Sequence, residues 1–255
     1  MKKSRREWLL AILLLLLSLI LLASGWMLIR RMRREEAAYE ELREEVTEQT
    51  DEPAEAEEAE AEEPPNDVDW EALWERNPDI YAWIEIPGTQ VDYPIVQRAD
   101  DNQWYLTHTI DGEEATAASI YTEYHNSTDF QDPNTVIYGH NMRSGAMFGS
   151  LHEYEDRAFF DENREILIYL PDATLHYRIF AAYVADNRHL LLSYDWTDAD
   201  VMNAFLEQVF SIREMTANID TEMTVTAEDR IITLSTCNHG ISTQRYLVLA
   251  VLQEE

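Results

Sequence analysis

The sequence is short of cysteine and lysine, and each shortage excludes a class of protein. Among 255 residues there is one cysteine, Cys237. A single thiol forms neither an internal disulfide nor a cysteine-based zinc site, so no disulfide framework is expected. Lysine occurs only at positions 2 and 3, and the formal net charge is −31 at pH 7. Such a charge repels phosphate backbones and excludes nucleic acid as a partner.

Charge is also absent between Trp8 and Ile29, a stretch with basic residues on both sides. A helix over this stretch is long enough to cross the hydrocarbon core of a bilayer. We therefore predict that residues 1–34 form an N-terminal membrane anchor with a single transmembrane helix and basic flanks. A cleavable signal peptide is the alternative, although its apolar region is usually only about 7–15 residues long. Because both flanks are basic, the positive-inside rule does not fix the orientation.

Residues 35–66 are strongly acidic and poor in apolar side chains. The composition of the first part allows a helix, whereas the second part reads "TDEPAEAEEAEAEEPPN" from Thr50 onward. Low apolar content and repulsion between like charges predict an extended stalk or linker. The folded domain is expected over residues 67–255, which is ample length for one core.

Short apolar runs separated by turn residues dominate residues 67–255 and predict a mostly β fold. Two runs, "YRIFAAYVA" and "YLVLAVL", are apolar on both faces, which is typical of central strands in a closed sheet. Helices are expected near residues 68–76, 147–154 and 198–211, the last with Thr197 or Asp198 as its N-cap. We therefore expect a closed β-barrel with N-terminal helices and an inserted helix before the strand that carries Cys237.

Cys237 ends the apolar run "IITLSTC", and Arg245 opens the strand that follows. A polar, glycine-containing loop between two strands puts the thiol at a strand end, where antiparallel pairing brings Arg245 near it. A fixed positive charge helps a thiolate to form or stabilises negative charge on a carbonyl oxygen. Cys237 is thus either a nucleophile or, like most free cysteines, a small buried residue.

His140 has the best setting for proton exchange with the thiol. It follows an apolar strand in "NTVIYGHNM" and opens a loop that contains glycines, which leaves room for a substrate. His239, two residues after Cys237, is the local rival. A metal site built from His140, His152 and His239 lacks the usual short ligand spacing, so neither a metal nor another cofactor is expected.

Together, "TLSTC", the arginine on the next strand and the upstream "YGHNM" resemble the sortases, which are membrane-anchored cysteine transpeptidases of Gram-positive bacteria. The similarity is greatest to class B. Further support comes from "DNQWYL" at residues 101–106, from "GAMFGSL" after the histidine, and from the long insertion at residues 187–229. The resemblance covers residues 68–252 and implies a sortase-type β-barrel as the catalytic domain, residues 67–255, preceded by a transmembrane helix.

The resemblance implies an enzyme that cleaves a C-terminal sorting pentapeptide of secreted proteins through a thioester. The acyl group then passes to an amine of the peptidoglycan or to a pilin lysine. The implied catalytic residues are Cys237 as nucleophile, His140 for proton transfer, and Arg245 for hydrogen bonds to the substrate backbone or the oxyanion. The substrate-binding residues implied by family position are Asn102, Leu106, Ser235 and Thr236.

Two other functions remain open at this point. One is a cysteine hydrolase of the cell envelope that prefers water to an amine, and the other is a catalytically silent binding module tethered to the membrane. Since sorting substrates lie outside the cell, the resemblance implies a single-pass membrane protein with an extracytoplasmic catalytic domain. The loop "CNHGISTQ" departs from the family pattern by placing a histidine and a glycine after the nucleophile, which makes His239 a candidate accessory base.

Overall fold

The computed structural model describes residues 5–48 and 66–253, which separate into two compact units divided between Glu41 and Leu42. Helix α1, Arg5–Glu48, is continuous from the apolar stretch into the charged residues that follow it. Within the described residues, no helix has the combination of length and apolar character that a membrane crossing requires. The predicted transmembrane helix is therefore not supported. Most of the predicted stalk, residues 49–65, lies outside the described residues.

Residues 66–253 form a mostly β domain. Its strands are β1 (Ile80–Glu85), β2 (Asp92–Gln97), β3 (Ile120–Thr122), β4 (Asn134–Tyr138), β5 (Glu165–Leu170), β6 (Ala173–Asp186), β7 (Asn218–Ile219), β8 (Ile231–Asn238) and β9 (Ile241–Leu252). Its helices are α2 (Trp70–Arg76), α3 (Arg157–Glu162), α4 (Leu190–Ser193) and α5 (Ala199–Ser211), and 3₁₀ helices cover Trp104–Leu106 and Gly149–Glu155.

Eight of these strands close into a barrel in the order β5-β1-β2-β3-β4-β8-β9-β6, because β6 also pairs with β5. The two-residue strand β7 adds to β6 from outside the ring. Pairing is antiparallel except between β2 and β3 and between β4 and β8, which are parallel. The prediction of a closed β-barrel with accessory helices is confirmed.

Side-chain caps explain where the predicted helices begin. Asp69 accepts a hydrogen bond from the Ala72 N–H at the start of α2, and Asp198 accepts from the first N–H groups of α5. The predicted helix over residues 147–154 was wrong in type and in its start. Met147 has a φ of +53°, which no right-handed helix contains, so the 3₁₀ helix begins only at Gly149.

The insertion between β6 and β8 covers one face of the barrel strands. The apolar face of α5 (Met202, Phe205, Leu206 and Val209) belongs to one buried cluster with side chains from β4, β6, β8 and β9. On β9, Leu247 and Leu249 join this cluster, while the alternating Val248 and Ala250 are buried towards the other side of the sheet. This explains why "YLVLAVL" is apolar on both faces. Each fully buried side chain of this size stabilises the fold by about 1.5–3 kcal/mol.

An ion pair joins the end of the insertion to the barrel. The Arg164 guanidinium, just before β5, hydrogen-bonds the Asp220 carboxylate just after β7, and both side chains are mostly buried. The Asp220 N–H also donates to the Phe180 carbonyl of β6 at 2.8 Å. Burial by itself raises the pKa of Asp220, but the hydrogen bond from Arg164 and nearby N–H groups hold that pKa below its ordinary value.

We predict that Asp220→Asn lowers the free energy of unfolding near neutral pH by about 2 kcal/mol, because a charge-assisted hydrogen bond is lost. A carboxylate whose pKa is depressed by folding stabilises the protein above its unfolded pKa of about 3.9, and that stabilisation is lost as the pH falls through the folded value. The difference between wild type and variant should therefore shrink below pH 4 in chemical denaturation. Asp161→Asn, which removes an exposed partner of the same arginine, should have a much smaller effect. An equal loss in both variants would contradict the prediction.

Candidate active site

Cys237 is the only exposed residue of β8, whose other residues are all buried. The strand carries β-branched and apolar side chains into the barrel wall until its end, where the thiol emerges. Cys237 therefore does not pack as a small core residue, and its sulfur is open to reaction.

Arg245 lies directly opposite Cys237 in the antiparallel pairing of β8 with β9. Directly opposed residues have their side chains on the same face of a sheet, about 5 Å apart at the Cβ atoms. The half-buried guanidinium donates from Nη1 to the Gln244 carbonyl at 2.9 Å and to the Ser242 carbonyl at 3.3 Å. These two bonds hold the guanidinium against the backbone of its own strand, in the wall of the cavity that Cys237 also lines.

His140 reaches the other side of Cys237 through the parallel pairing of β4 with β8. Tyr138 is opposite Ser235, and the Gly139 N–H donates to the Ser235 carbonyl at 3.2 Å. Two residues further along both chains come His140 and Cys237. His140, Cys237 and Arg245 all line the same cavity.

One nitrogen of the His140 ring is already committed to a hydrogen bond. His140 Nε2 lies 2.7 Å from the carbonyl oxygen of Leu106, in the 3₁₀ helix Trp104–Leu106. A carbonyl only accepts, so Nε2 carries the proton and, in the neutral ring, Nδ1 keeps the lone pair. The basic nitrogen available for chemistry is therefore Nδ1.

A cavity of about 310 Å³ opens over these groups, and it is lined by all seven site residues predicted from the sequence. These are Asn102, Leu106, His140, Ser235, Thr236, Cys237 and Arg245. The Asn102 side-chain oxygen accepts from the Tyr124 N–H at 2.8 Å, so that residue fixes a loop as well as lining the wall. Leu106 is 41% exposed and presents an apolar side chain to the opening.

Several further groups in the cavity wall escaped the sequence analysis. Tyr121 and Tyr138 are opposed on β3 and β4 with rings 5.3 Å apart, and burial followed by the nearby Glu123 raises the pKa of each. His189, before α4, lies 2.9 Å from a Glu123 carboxylate oxygen. The alternation in "IYTEY" predicts Tyr121 and Glu123 on the same side of the chain, and Glu123 comes directly after the end of β3. This signal was available from the sequence. The approach of His189 to Glu123 depends on the fold of the insertion, and no signal in the sequence predicted it.

His239, the predicted rival of His140, faces away from this cavity. Its Nε2 lies 2.8 Å from Glu155 Oε1, and the same oxygen lies 2.8 Å from His152 Nδ1. His152 Nε2 is 3.1 Å from the Cys237 carbonyl oxygen, which also accepts from Asn141 at 2.9 Å. Histidines 152 and 239 thus come together beneath the nucleophile, with Glu155 rather than His140 as the third member.

The arrangement in the cavity has the chemical parts for acyl transfer. An exposed thiol can act as a nucleophile, an imidazole can take and return a proton, and a guanidinium can donate hydrogen bonds to an oxyanion. The wall on either side is a mixture of apolar and polar side chains, as in sites that bind peptides.

Comparison with known proteins agrees with this geometry. Residues 84–253 match the model of the sortase domain family. Sortase B of Listeria monocytogenes is 35% identical over 166 residues, which are 65% of this chain and 65% of the Listeria protein. The chain thus covers slightly less than two thirds of that relative.

Solved structures of class B sortases are also similar to this chain. The structure of sortase B from B. anthracis in complex with AAEK1 has a TM-score of 0.71 and 29% identity, covering 89% of this chain and 100% of that one. A Streptococcus pyogenes class B sortase involved in pilus biogenesis has a TM-score of 0.61 and 29% identity, covering 73% and 98% of the two chains. The chain therefore belongs to the sortase domain family, among relatives of class B.

Proposed function

We propose that this chain cleaves a sorting pentapeptide near the C-terminus of secreted proteins and transfers the acyl fragment to an amine. The observation that carries the proposal is the exposed Cys237 thiol between His140 and Arg245 in the wall of one cavity. A thioester suits this transfer because it is reactive toward amines and divides one difficult exchange into two easier steps.

In the first proposed step, Cys237 Sγ attacks the carbonyl carbon of the scissile peptide bond and its proton passes to His140 Nδ1. The imidazolium then protonates the departing amine as the C–N bond breaks, which leaves a thioester on Cys237. In the second step an incoming amine attacks the thioester, gives its proton to the same nitrogen, and restores the thiol as the new amide forms. The bond from His140 Nε2 to Leu106 supports this assignment, since it leaves Nδ1 free.

Arg245 is proposed to stabilise the negative charge that develops on the carbonyl oxygen in both steps, or to hold the substrate backbone. Its position opposite Cys237 on β9 supports this role. The backbone N–H that follows the nucleophile would supply a second donor. Fixed donors at such a site act without reorganisation during the reaction, which is why they lower the barrier.

Asn102, Leu106, Ser235 and Thr236 are proposed to contact the sorting peptide. All four line the cavity of Cys237, and Leu106 offers an exposed apolar surface. The buried Thr236 hydroxyl has no hydrogen-bond partner among the described residues.

The acceptor is proposed to be an amine of the peptidoglycan or a pilin lysine. The net charge of −31 favours the approach of a cationic group. The Streptococcus pyogenes relative is described as involved in pilus biogenesis, so the test should include both acceptors.

The full chain, incubated with a library of sorting pentapeptides that includes Asn-Pro types and with an amine, should yield a thioester and a ligated product by mass spectrometry. Cys237→Ala should abolish both species. Release of hydrolysed peptide alone, at the same rate with and without amine, would instead identify a hydrolase. An unchanged cellular phenotype in the Cys237→Ala strain would identify a binding module.

Arg245→Ala and His140→Ala should each lower kcat/KM for ligation by about 100–1,000-fold, equivalent to roughly 3–4 kcal/mol of lost transition-state stabilisation. Arg143→Ala and His176→Ala are matched controls, since neither residue lines the cavity of Cys237. Both should keep near-wild-type rates. Near-full activity of the arginine variant would remove Arg245 from the mechanism.

We also propose that the domain works outside the cytoplasm, tethered by residues 1–34. The family is associated with the cell surface, and the uncharged sequence from Trp8 to Ile29 supports the tether, although no described helix meets the requirement for a span. Cell fractionation should find the chain with the membrane, and protease added to cells stripped of wall should digest residues 67–255. Recovery of the chain in the soluble fraction would contradict the tether.

A further inference from the structure

We propose that His152, Glu155 and His239 form a binding site for a divalent transition-metal ion, with Zn²⁺ as the cation that suits two imidazoles and a carboxylate. This inference is independent of the proposed transfer reaction and departs from the sequence expectation of no metal. The site would tie the β8–β9 turn to the 3₁₀ helix Gly149–Glu155, next to the nucleophile.

The ligand atoms are already gathered around one point. Glu155 Oε1 lies 2.8 Å from His152 Nδ1 and 2.8 Å from His239 Nε2, and the three ligand atoms lie within 4.8 Å of one another. Neighbouring ligands of a tetrahedral Zn²⁺ with bonds near 2.0–2.1 Å are about 3.3 Å apart. Binding of the ion would therefore lengthen each of the two 2.8 Å contacts by about 0.5 Å.

Local backbone geometry explains how two of these ligands share a direction. A 3₁₀ helix has three residues per turn, so His152 and Glu155 lie one above the other on the same face. The i,i+3 spacing of a histidine and a carboxylate is therefore a rigid pair. His239 approaches it from the tip of the neighbouring hairpin.

The second nitrogen of His152 is held by two polar neighbours. Nε2 lies 2.8 Å from the side-chain amide nitrogen of Asn141, which only donates, and 3.1 Å from the carbonyl oxygen of Cys237. The Asn141 N–H makes Nε2 the accepting nitrogen of the neutral ring, so Nδ1 carries the proton and donates it to Glu155. A metal ion bound at Nδ1 would displace that proton.

His239 has a positive φ, which is uncommon for any residue other than glycine. In the two-residue turn between Asn238 and Ile241, φ is +40° at His239 and +80° at Gly240. Such a turn prefers Asn-Gly, because both of its central residues need a positive φ, which few side chains tolerate. A residue held in an unfavourable conformation at a turn is a reason to look for a function of its side chain, and here that side chain points to Glu155.

A second cavity gives an ion access to the cluster. It has about 630 Å³ and is lined by His152 and His239 together with residues such as Asn141, Glu153 and Gly240. None of its lining residues lines the cavity of Cys237. The fourth coordination position would thus face water in this second cavity, away from the thiol.

Calorimetric titration of the chelator-treated full chain with ZnCl₂ should show a single ion per chain and a rise in the midpoint of thermal unfolding, since binding to the folded state stabilises it. Co²⁺ in place of Zn²⁺ should give the visible absorption of a tetrahedral site with nitrogen and oxygen ligands. A thiolate charge-transfer band would instead indicate binding through Cys237 and would overturn the proposal.

His239→Asn removes one ligand while keeping a residue that the turn favours, so the variant should fold. Its affinity for Zn²⁺, and that of Glu155→Gln, should fall by at least about 100-fold, as loss of outer contacts alone costs 10–100-fold. Zn²⁺ should no longer raise the unfolding midpoint of either variant.

Two control variants should bind Zn²⁺ as the wild type does. His176→Asn disrupts a partly exposed histidine–glutamate pair with no third ligand, and Cys237→Ser removes the only thiol. Wild-type affinity in His239→Asn, a matching loss in Cys237→Ser, or no Zn²⁺ uptake by the wild-type chain would overturn the proposal.

Discussion

The active-site arrangement depends on the hydrogen-bonded register of three adjacent strands, β4, β8 and β9. Side chains alternate between the faces of a sheet, so a slip of one residue in either pairing would move Cys237 away from His140 or from Arg245. The register is well fixed because β8 is central and every residue except the thiol is buried. Burial of both faces therefore determines the chemistry at one end of the strand.

The inserted helix α5 contributes to the site without touching it. Its apolar face packs on the strands that carry the three reactive groups, and Arg164 joins the far end of the insertion to the barrel. Interiors packed in this way have low compressibility, so the strand ends are held in place. Cys237 and Arg245 thus stand on rigid strands, whereas His140 lies in the loop, two residues after the end of β4.

Local signals in the sequence predicted the elements that local chemistry determines. The aspartate caps of α2 and α5 and the strand that ends in Cys237 follow from residue type and spacing. Contacts set by long-range pairing could not be predicted in this way. The meeting of His239 with Glu155 needs the β8–β9 turn and the 3₁₀ helix to lie side by side, and no spacing along the chain encodes that.

The helix predicted over residues 147–154 was wrong because the backbone conformation of one residue outweighed the local composition. "GAMFGSL" has the composition of a short helix, but Met147 at positive φ delays the start to Gly149, and the turn is then of the 3₁₀ type. Among the seven predicted residues of the cavity wall, Cys237, His140 and Arg245 were singled out from their places at strand ends. The other four, which are Asn102, Leu106, Ser235 and Thr236, were predicted from family resemblance alone. Their common cavity is a result of the barrel topology.

Closure of the eight strands into a barrel restricts how an extended peptide can bind. Within the described residues, the two-residue β7 is the only strand at an unpaired edge of the sheet. The described sheet therefore offers no long row of free backbone donors and acceptors to which a peptide could add as a further strand. A bound peptide must instead be recognised by side chains and loops at the mouth of the barrel. Specificity for different peptides would then change through substitutions at a few positions on the rim, while the barrel beneath stays constant.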